Sequence, residues 1–206
     1  SYAPFYPQQK YFDYLIDSKV DLIASAQTGT GKTGAFGLPS IHRTNLDIRK
    51  PQTLILCPTR ELCIQIAKDL NDFSKYIVGL NVVSVYGGSS IEKQIKSLKK
   101  GAHIVVGTPG RTKDMIKRKR LSLRYIDRVI LDEADEMLSM GFKDDIDSIL
   151  EKTPDEKQML LFSATMNKKI LSITKKFMTN PEHIASEKIN TSTKQVDHYY
   201  YMVQAR

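Results

Sequence analysis

Short apolar runs recur along the chain and are separated by segments with helical spacing. The runs that predict strands are Val20–Ala24, Thr53–Cys57, Val82–Tyr86, Ile104–Val106, Val129–Leu131 and Met159–Phe162. Most of them are continuously apolar rather than alternating, which is typical of strands covered on both faces. The pattern therefore predicts an α/β domain with a mostly parallel sheet and helices on both faces.

Two of the intervening segments have a clear helical period. After Arg60, apolar side chains recur every three or four residues, at Cys63, Ile66, Leu70 and Phe73. Between residues 167 and 177, two isoleucines and a phenylalanine share one face and four lysines share the other. Val196–Val203 is a further strand candidate. We expect a single domain over residues 1–206.

A glycine-rich segment, Ala26–Thr33, joins the first predicted strand to a predicted helix from Lys32 to Ile41. Glycines let consecutive backbone N–H groups turn inward and hold phosphate oxygens. In such a loop the lysine reaches the β- and γ-phosphates, and the following hydroxyl ligates Mg²⁺. The candidate nucleotide-binding residues are Ala26, Thr28, Gly29, Thr30, Gly31, Lys32 and Thr33. The alternative is a glycine-rich turn that only joins strand to helix.

Three carboxylates follow the apolar run Val129–Leu131, in the sequence Asp132-Glu133-Ala134-Asp135. Acids at the carboxyl end of a buried strand can hold Mg²⁺ and polarise a water molecule. Taken alone, the same residues are more typical of a solvent-exposed helix N-terminus. The phosphate-binding segment upstream favours the catalytic interpretation.

Composition and charge narrow the class of protein. Of the 206 residues, 41% are hydrophobic and 26% are charged, which is ordinary for a globular protein. The formal net charge of +8 favours an anionic partner, nucleic acid above all, although a solubilising surface would give the same balance. Two basic clusters, Lys117–Arg120 and Lys96 with Lys99 and Lys100, could touch RNA, but a solvated surface is the favoured interpretation.

The two cysteines, Cys57 and Cys63, are too few for a disulfide framework or a zinc site. We expect both to be reduced core residues, which fits a cytoplasmic protein. No apolar stretch is long enough to span a membrane, and we expect no membrane partner. Because the chain begins with Ser1 rather than methionine, we expect an excised domain.

Seven motifs in order carry a resemblance that covers nearly the whole chain. They are Gln9, Ala26–Thr33, Pro58–Leu62, Gly87-Gly88, Thr108–Arg111, Asp132–Asp135 and Ser163–Thr165. With them the chain resembles the N-terminal RecA-like domain of DEAD-box ATP-dependent RNA helicases, and most of all the bacterial members. The resemblance implies a RecA-like P-loop fold, with ATP and Mg²⁺ as cofactors and RNA as partner.

The resemblance also implies roles in ATP binding and hydrolysis. Gln9 would read the adenine edge with its amide. Lys32, Asp132 and Glu133 would be catalytic: Asp132 would hold Mg²⁺ opposite Thr33, and Glu133 would orient and deprotonate the attacking water.

Further roles follow for the remaining motifs. Asp135, Ser163 and Thr165 would couple the nucleotide site to domain movement, although Ser-Ala-Thr is also a common helix N-cap. Contacts to the RNA backbone would come from Pro58, Thr59, Arg60, Gly87, Gly88, Thr108, Pro109, Gly110 and Arg111.

The function that this resemblance implies is ATP-dependent RNA unwinding or remodelling, with a second RecA-like domain completing the ATP site. Residues 1–206 would form the ATP-binding half and hydrolyse ATP poorly alone. An RNA clamp without significant unwinding and a DNA-directed translocase are the alternatives.

Overall fold

The computed structural model describes Leu15, residues 18–25 and residues 32–185. Three sequence predictions lie outside the described residues. They are Gln9, the first six positions of the glycine-rich segment (26–31), and the strand candidate Val196–Val203.

Seven parallel strands form one sheet in the order β3-β4-β2-β5-β6-β1-β7. The strands are β1 (Leu22–Ser25), β2 (Thr53–Leu56), β3 (Val82–Val85), β4 (Ile104–Gly107), β5 (Arg128–Leu131), β6 (Gln158–Ser163) and β7 (Glu182–Ala185). The predicted α/β fold is confirmed, and each of the six predicted strands lies within two residues of its expected bounds. β7 was not predicted.

The helices within the described residues are α1 (Lys32–Arg43), α2 (Arg60–Phe73), α3 (Ile91–Lys99), α4 (Pro109–Lys117), α5 (Ala134–Ser139), α6 (Lys143–Leu150) and α7 (Lys168–Phe177). None of them is long and apolar enough to cross a bilayer. The helix predicted from Lys32 to Ile41 continues for two more residues.

Each face of the sheet has its own hydrophobic core. Side chains alternate along a strand, so neighbours in β2 belong to different cores: Leu54 and Leu56 pack on one face, and Ile55 packs on the other. The second core also contains Cys57 and Cys63, both free and fully buried. Helices therefore cover both faces, and the cysteines are core residues as expected.

Because all seven strands run parallel, their carboxyl ends share one edge of the sheet. β1, β6 and β5 are neighbours and end at residues 25, 163 and 131, whereas β2, β4 and β3 form the other half and end at residues 56, 107 and 85. The predicted ATP-site residues follow the first group, and the predicted RNA-contacting residues follow the second. Ligands of open parallel sheets bind at this edge.

Candidate nucleotide and nucleic-acid sites

Lys32, Asp132 and Glu133 come together at the ends of β1 and β5. The Lys32 Nζ lies 3.3 Å from the Asp132 Oδ1 and 3.9 Å from the Glu133 Oε1. Only 2% of Asp132 is exposed, and 10% of the Lys32 side chain. The sequence placed these residues 100 positions apart, and the pairing of β5 with β6 and of β6 with β1 closes that gap.

Burial raises the pKa of Asp132 above its ordinary value, and the nearby Lys32 ammonium opposes that rise without cancelling it. The pKa of Glu133 is also raised, first by burial and then by repulsion from Asp132. For both carboxylates, burial therefore disfavours the charged form more than the neighbouring Lys32 stabilises it. A bound cation would reverse both effects.

The donor set at Asp132 fits Mg²⁺. Its Oδ1 is buried and accepts no hydrogen bond of good geometry from the described residues. In the same part of the chain, no group of three or more His, Cys, Asp or Glu side chains could hold a metal. Mg²⁺ ordinarily keeps several waters and takes only one or two carboxylates together with phosphate oxygens, so a single buried aspartate is enough. Thr33, the second proposed ligand, lies half-buried at the second position of α1.

Glu133 has an unusual backbone conformation. It immediately precedes α5 with φ 52° and ψ 50°, in the left-handed region, and its side chain does not cap the helix. A residue other than glycine held there costs about 1–3 kcal/mol and is typical of functional sites. The carboxylate is left partly exposed beside Lys32, where it can reach a water molecule.

Asp135 is linked to the end of β6. The Thr165 hydroxyl donates to the Asp135 Oδ2 at 3.0 Å, and the Ser163 hydroxyl donates to the Thr165 carbonyl at 2.7 Å. Ser163 therefore reaches Asp135 through Thr165. The interpretation of Ser-Ala-Thr as a helix N-cap is wrong, because Asn167 caps α7 by accepting from two backbone N–H groups.

Arg60 and the Gly87-Gly88 turn meet at the other half of the edge. The Arg60 Nη1 donates to the Gly88 carbonyl at 3.2 Å, and its guanidinium lies 5.2 Å from the centre of the Tyr86 ring. Gly88 has a φ of +72°, which a side chain would disfavour. This guanidinium is held at the surface by a carbonyl and an aromatic ring.

Arg111 is held by a buried glutamine that the sequence analysis did not single out. Its Nη1 donates to the Ser89 carbonyl at 3.3 Å and to the Gln94 Oε1 at 3.2 Å. Gln94 is 7% exposed; it donates to the Tyr86 carbonyl at 3.0 Å and accepts from the Tyr86 N–H at 3.3 Å. One amide thus joins the turn after β3 to the helix after β4.

A signal for Gln94 was present in the sequence. Ile91, Ile95 and Leu98 form the face of α3 that packs against the core. Gln94 lies on that face at helical spacing, and a polar residue within an apolar stripe needs hydrogen-bond partners when it is buried.

Two helix N-termini border this half of the edge. Pro58 is buried, and the Thr59 hydroxyl caps α2 by accepting from the Leu62 N–H at 3.2 Å. Thr108 makes no such bond at α4, where Pro109 takes the first position, and Gly110 is exposed. The Thr108 hydroxyl is therefore not used for capping.

Comparison with known proteins relates the chain to one family. A family model described as DEAD/DEAH box helicase matches residues 6–173. The chain is 53% identical over 197 residues to the DEAD-box ATP-dependent RNA helicase CshA of Streptococcus pneumoniae, covering 96% of the chain and 37% of that protein. It is 47% identical over 193 residues to the ATP-dependent RNA helicase DeaD of Buchnera aphidicola, covering 94% of the chain and 32% of that protein.

A solved structure of a DEAD box protein from the hyperthermophile Methanococcus jannaschii superposes with a TM-score of 0.80 at 42% identity. The match covers 86% of this chain and 48% of that one. The chain spans about a third of the length of the curated relatives reported above.

Proposed function

The chain belongs to the DEAD/DEAH box helicase family, and we propose that it is the ATP-binding half of a cytoplasmic ATP-dependent RNA helicase. The observation that carries the proposal is the shared sheet edge. On one half, a single lysine, Lys32, lies beside the carboxylates of Asp132 and Glu133. On the other half, Arg60 and Arg111 donate to backbone carbonyls. The names of the bacterial relatives support the activity.

In this proposal the phosphates of ATP bind the segment Ala26–Gly31 and Lys32, with Gln9 at the adenine. Asp132 would hold Mg²⁺ with Thr33, and the ion would neutralise charge on the β- and γ-phosphates. Glu133 would orient and deprotonate the attacking water. Its raised pKa suits a general base, because the carboxylate then holds a proton more strongly than an ordinary glutamate.

The RNA would lie across Arg60, the Gly87-Gly88 turn and Arg111, with the N-termini of α2 and α4 facing its phosphates. These contacts are made by guanidinium groups and backbone, which read no base sequence. We therefore expect binding without sequence preference, to the single strand or to the strand of a duplex.

Asp135, Ser163 and Thr165 would couple the nucleotide site to domain movement, since their hydrogen bonds join the helix after β5 to the end of β6. A second RecA-like domain would complete the ATP site with arginines that neutralise transition-state charge. Residues 1–206 alone should then hydrolyse ATP slowly or not at all.

The test is the ATPase rate of the chain joined to its second RecA-like domain, measured with RNA, with DNA and with neither. We expect stimulation by RNA only. Glu133→Gln should lower the rate by about 10²–10⁴-fold, the usual contribution of a general base. Glu136→Gln is the control, because Glu136 is exposed on α5 and its substitution removes the same negative charge.

Three outcomes would overturn parts of the proposal. Equal stimulation by DNA would indicate a translocase of another kind. ATP-dependent retention of RNA without duplex separation would indicate a clamp. Full activity of Glu133→Gln would remove that residue from catalysis.

A further inference from the structure

A groove runs along the outer edge of the sheet, between the edge strand β3 and α3. Its volume is about 420 Å³. Its lining includes Ser84, Tyr86, Ser89, Lys93, Ser97 and Lys100. The RNA contacts proposed above reach only the end of the groove at Tyr86, Ser89 and Gln94.

The polar lining of this groove suits an anion. Lys93, Ser97 and Lys100 follow one another along one side of α3, and no aspartate or glutamate lines the groove. Within the part of the chain that the structure describes, neither lysine forms an ion pair. At about 1.5 Å per helical residue the two lysines are about 10 Å apart along the axis, so an extended polyanion beside α3 would meet both.

The end of the groove nearest the carboxyl end of β3 adjoins the contacts that Arg60 and Arg111 make. Tyr86 lines the groove and also lies beneath the Arg60 guanidinium. Ser89 lines the groove, and its carbonyl accepts from Arg111. A strand bound across the two arginines would therefore reach this end of the groove, where Glu92 in the first turn of α3 is the neighbouring carboxylate.

We propose that the β3–α3 groove binds the sugar-phosphate backbone of the RNA segment that continues beyond Arg60 and Arg111. This inference rests on the proposed function. Lys93 and Lys100 neutralise phosphates, and the Ser84 and Ser89 hydroxyls donate to phosphate oxygens or 2′-hydroxyls. Continuity with the arginines favours RNA over an acidic peptide, which would not need that junction.

The test compares two double variants of the chain joined to its second RecA-like domain. Lys93→Ala/Lys100→Ala removes both groove lysines. Lys96→Ala/Lys99→Ala is the matched control, because it removes the same charge from exposed positions of α3 that do not line the groove. Affinity for a short and for a long single-stranded RNA is measured at several salt concentrations.

We expect the groove variant to lose about 10-fold in affinity for the long RNA and little for the short one. Its salt dependence should fall by about 1.4 in slope, since each phosphate contact on a single strand contributes about 0.7. The control should retain most of the long-RNA affinity. Equal losses in the two variants, or equal losses for the two RNA lengths, would overturn the groove assignment.

Crosslinking gives a second measurement that does not depend on removing charge. A photoreactive group attached to Ser97→Cys should crosslink the long RNA and not the short one. The native cysteines are fully buried, so labelling is directed to the introduced thiol. Capture of a polyglutamate peptide in place of RNA would overturn the proposal in favour of an acidic protein partner.

The same measurements distinguish failure of the proposed function from failure of the groove assignment. If the unaltered protein binds neither RNA, the proposed function is wrong and the groove assignment falls with it. If it binds both RNAs and the groove variant behaves as the control does, only the groove assignment is wrong.

Discussion

The two halves of the sheet edge hold their charges in opposite ways. On the proposed nucleotide half, at the ends of β1, β6 and β5, Asp132 and Lys32 are largely buried, and the Asp132 Oδ1 accepts no hydrogen bond of good geometry from the described residues. On the proposed nucleic-acid half, at the ends of β2, β4 and β3, Arg60 is exposed and Arg111 is half-buried, and each donates to a backbone carbonyl. The first half is electrostatically incomplete, whereas the second is already hydrogen-bonded.

This difference suits two kinds of ligand. A buried carboxylate without enough positive charge gains most from a small multivalent cation and its phosphates, which makes binding strong and selective. Guanidinium groups held at the surface change little when a polyanion arrives, so binding is looser and tolerant of sequence. Stability and function should therefore oppose each other on the nucleotide half and not on the other.

Asp132→Asn should give the largest effect. We expect ATP hydrolysis by the two-domain protein to fall by at least about 100-fold, as for other groups that stabilise transition-state charge. The thermal stability of residues 1–206 without ligand should rise, because the buried charge is gone. A gain of about 1 kcal/mol would raise Tm by about 2–4 °C in a domain of this size.

The pH dependence gives the sign of this effect. The folded-state pKa of Asp132 is raised above 3.8, so the folded state binds more protons just above that pH than the unfolded state does. Stability is therefore lost as pH rises through that window, and Asp132→Asn should reduce the loss. Asp155→Asn, at an exposed position, is the control. Identical pH profiles for Asp132→Asn and the unaltered chain would show that burial of this charge is not costly.

Gln94→Met should affect the other half of the edge alone. The side chain keeps its volume and loses the bonds to Tyr86 and Arg111, so RNA affinity should fall about 10-fold, equivalent to about 1.4 kcal/mol. ATP affinity should not change. The measurement is the KM for RNA beside the KM for ATP.

Two further variants separate positioning by Gln94 from packing. Gln94→Glu keeps an acceptor for Arg111, so its RNA affinity should lie above that of Gln94→Met. Ile95→Met alters the same apolar face of α3 and should leave RNA affinity unchanged. If Gln94→Met raises both KM values equally, Gln94 has a structural role only.

Thr112→Val should give the smallest effect. The Thr112 Oγ1 is fully buried and has no hydrogen-bond partner among the described residues. Valine has the same shape without the hydroxyl, so unfolding free energy should rise by up to about 1 kcal/mol. Denaturant unfolding checks this, and RNA and ATP affinities should stay unchanged.

The control for this substitution is Thr153→Val. The Thr153 hydroxyl is also in a buried residue, but it donates to the Leu150 carbonyl at 2.6 Å. The same change there should lower stability. If both variants shift stability in the same direction, the unpartnered hydroxyl is not the cause.

Local patterns were sufficient for most of the fold. Six strands were predicted from apolar runs, because strands covered on both faces are made mostly of apolar residues. β7 was not predicted, because it lies at the edge of the sheet and begins with the polar residues Glu182 and His183. It is fixed instead by long-range bonds: the Asp21 carbonyl accepts from the Glu182 N–H at 2.9 Å, and the Asp21 carboxylate accepts from the Thr179 N–H at 2.7 Å.

The candidate sites divide in the same way. Motifs with a local mechanism, such as the lysine that follows a glycine-rich segment, were predicted from residue type and spacing. The role of Gln94 could not be assigned, because its partners come from the turn after β3 and from α4. The left-handed conformation of Glu133 had no sequence signal either, since glutamate does not favour it.

The sequence by itself determined the fold class, six of the strands and their order along the chain, and which residues could carry phosphate, metal and nucleic-acid chemistry. Those properties depend on periodicity and on residue chemistry, both of which are local. Only the tertiary structure decided the strand order in the sheet, the division of its edge into two halves, and the groove beside β3. These depend on which distant segments pack together. Packing also decides that the Asp132 carboxylate is buried and the Arg60 guanidinium is exposed.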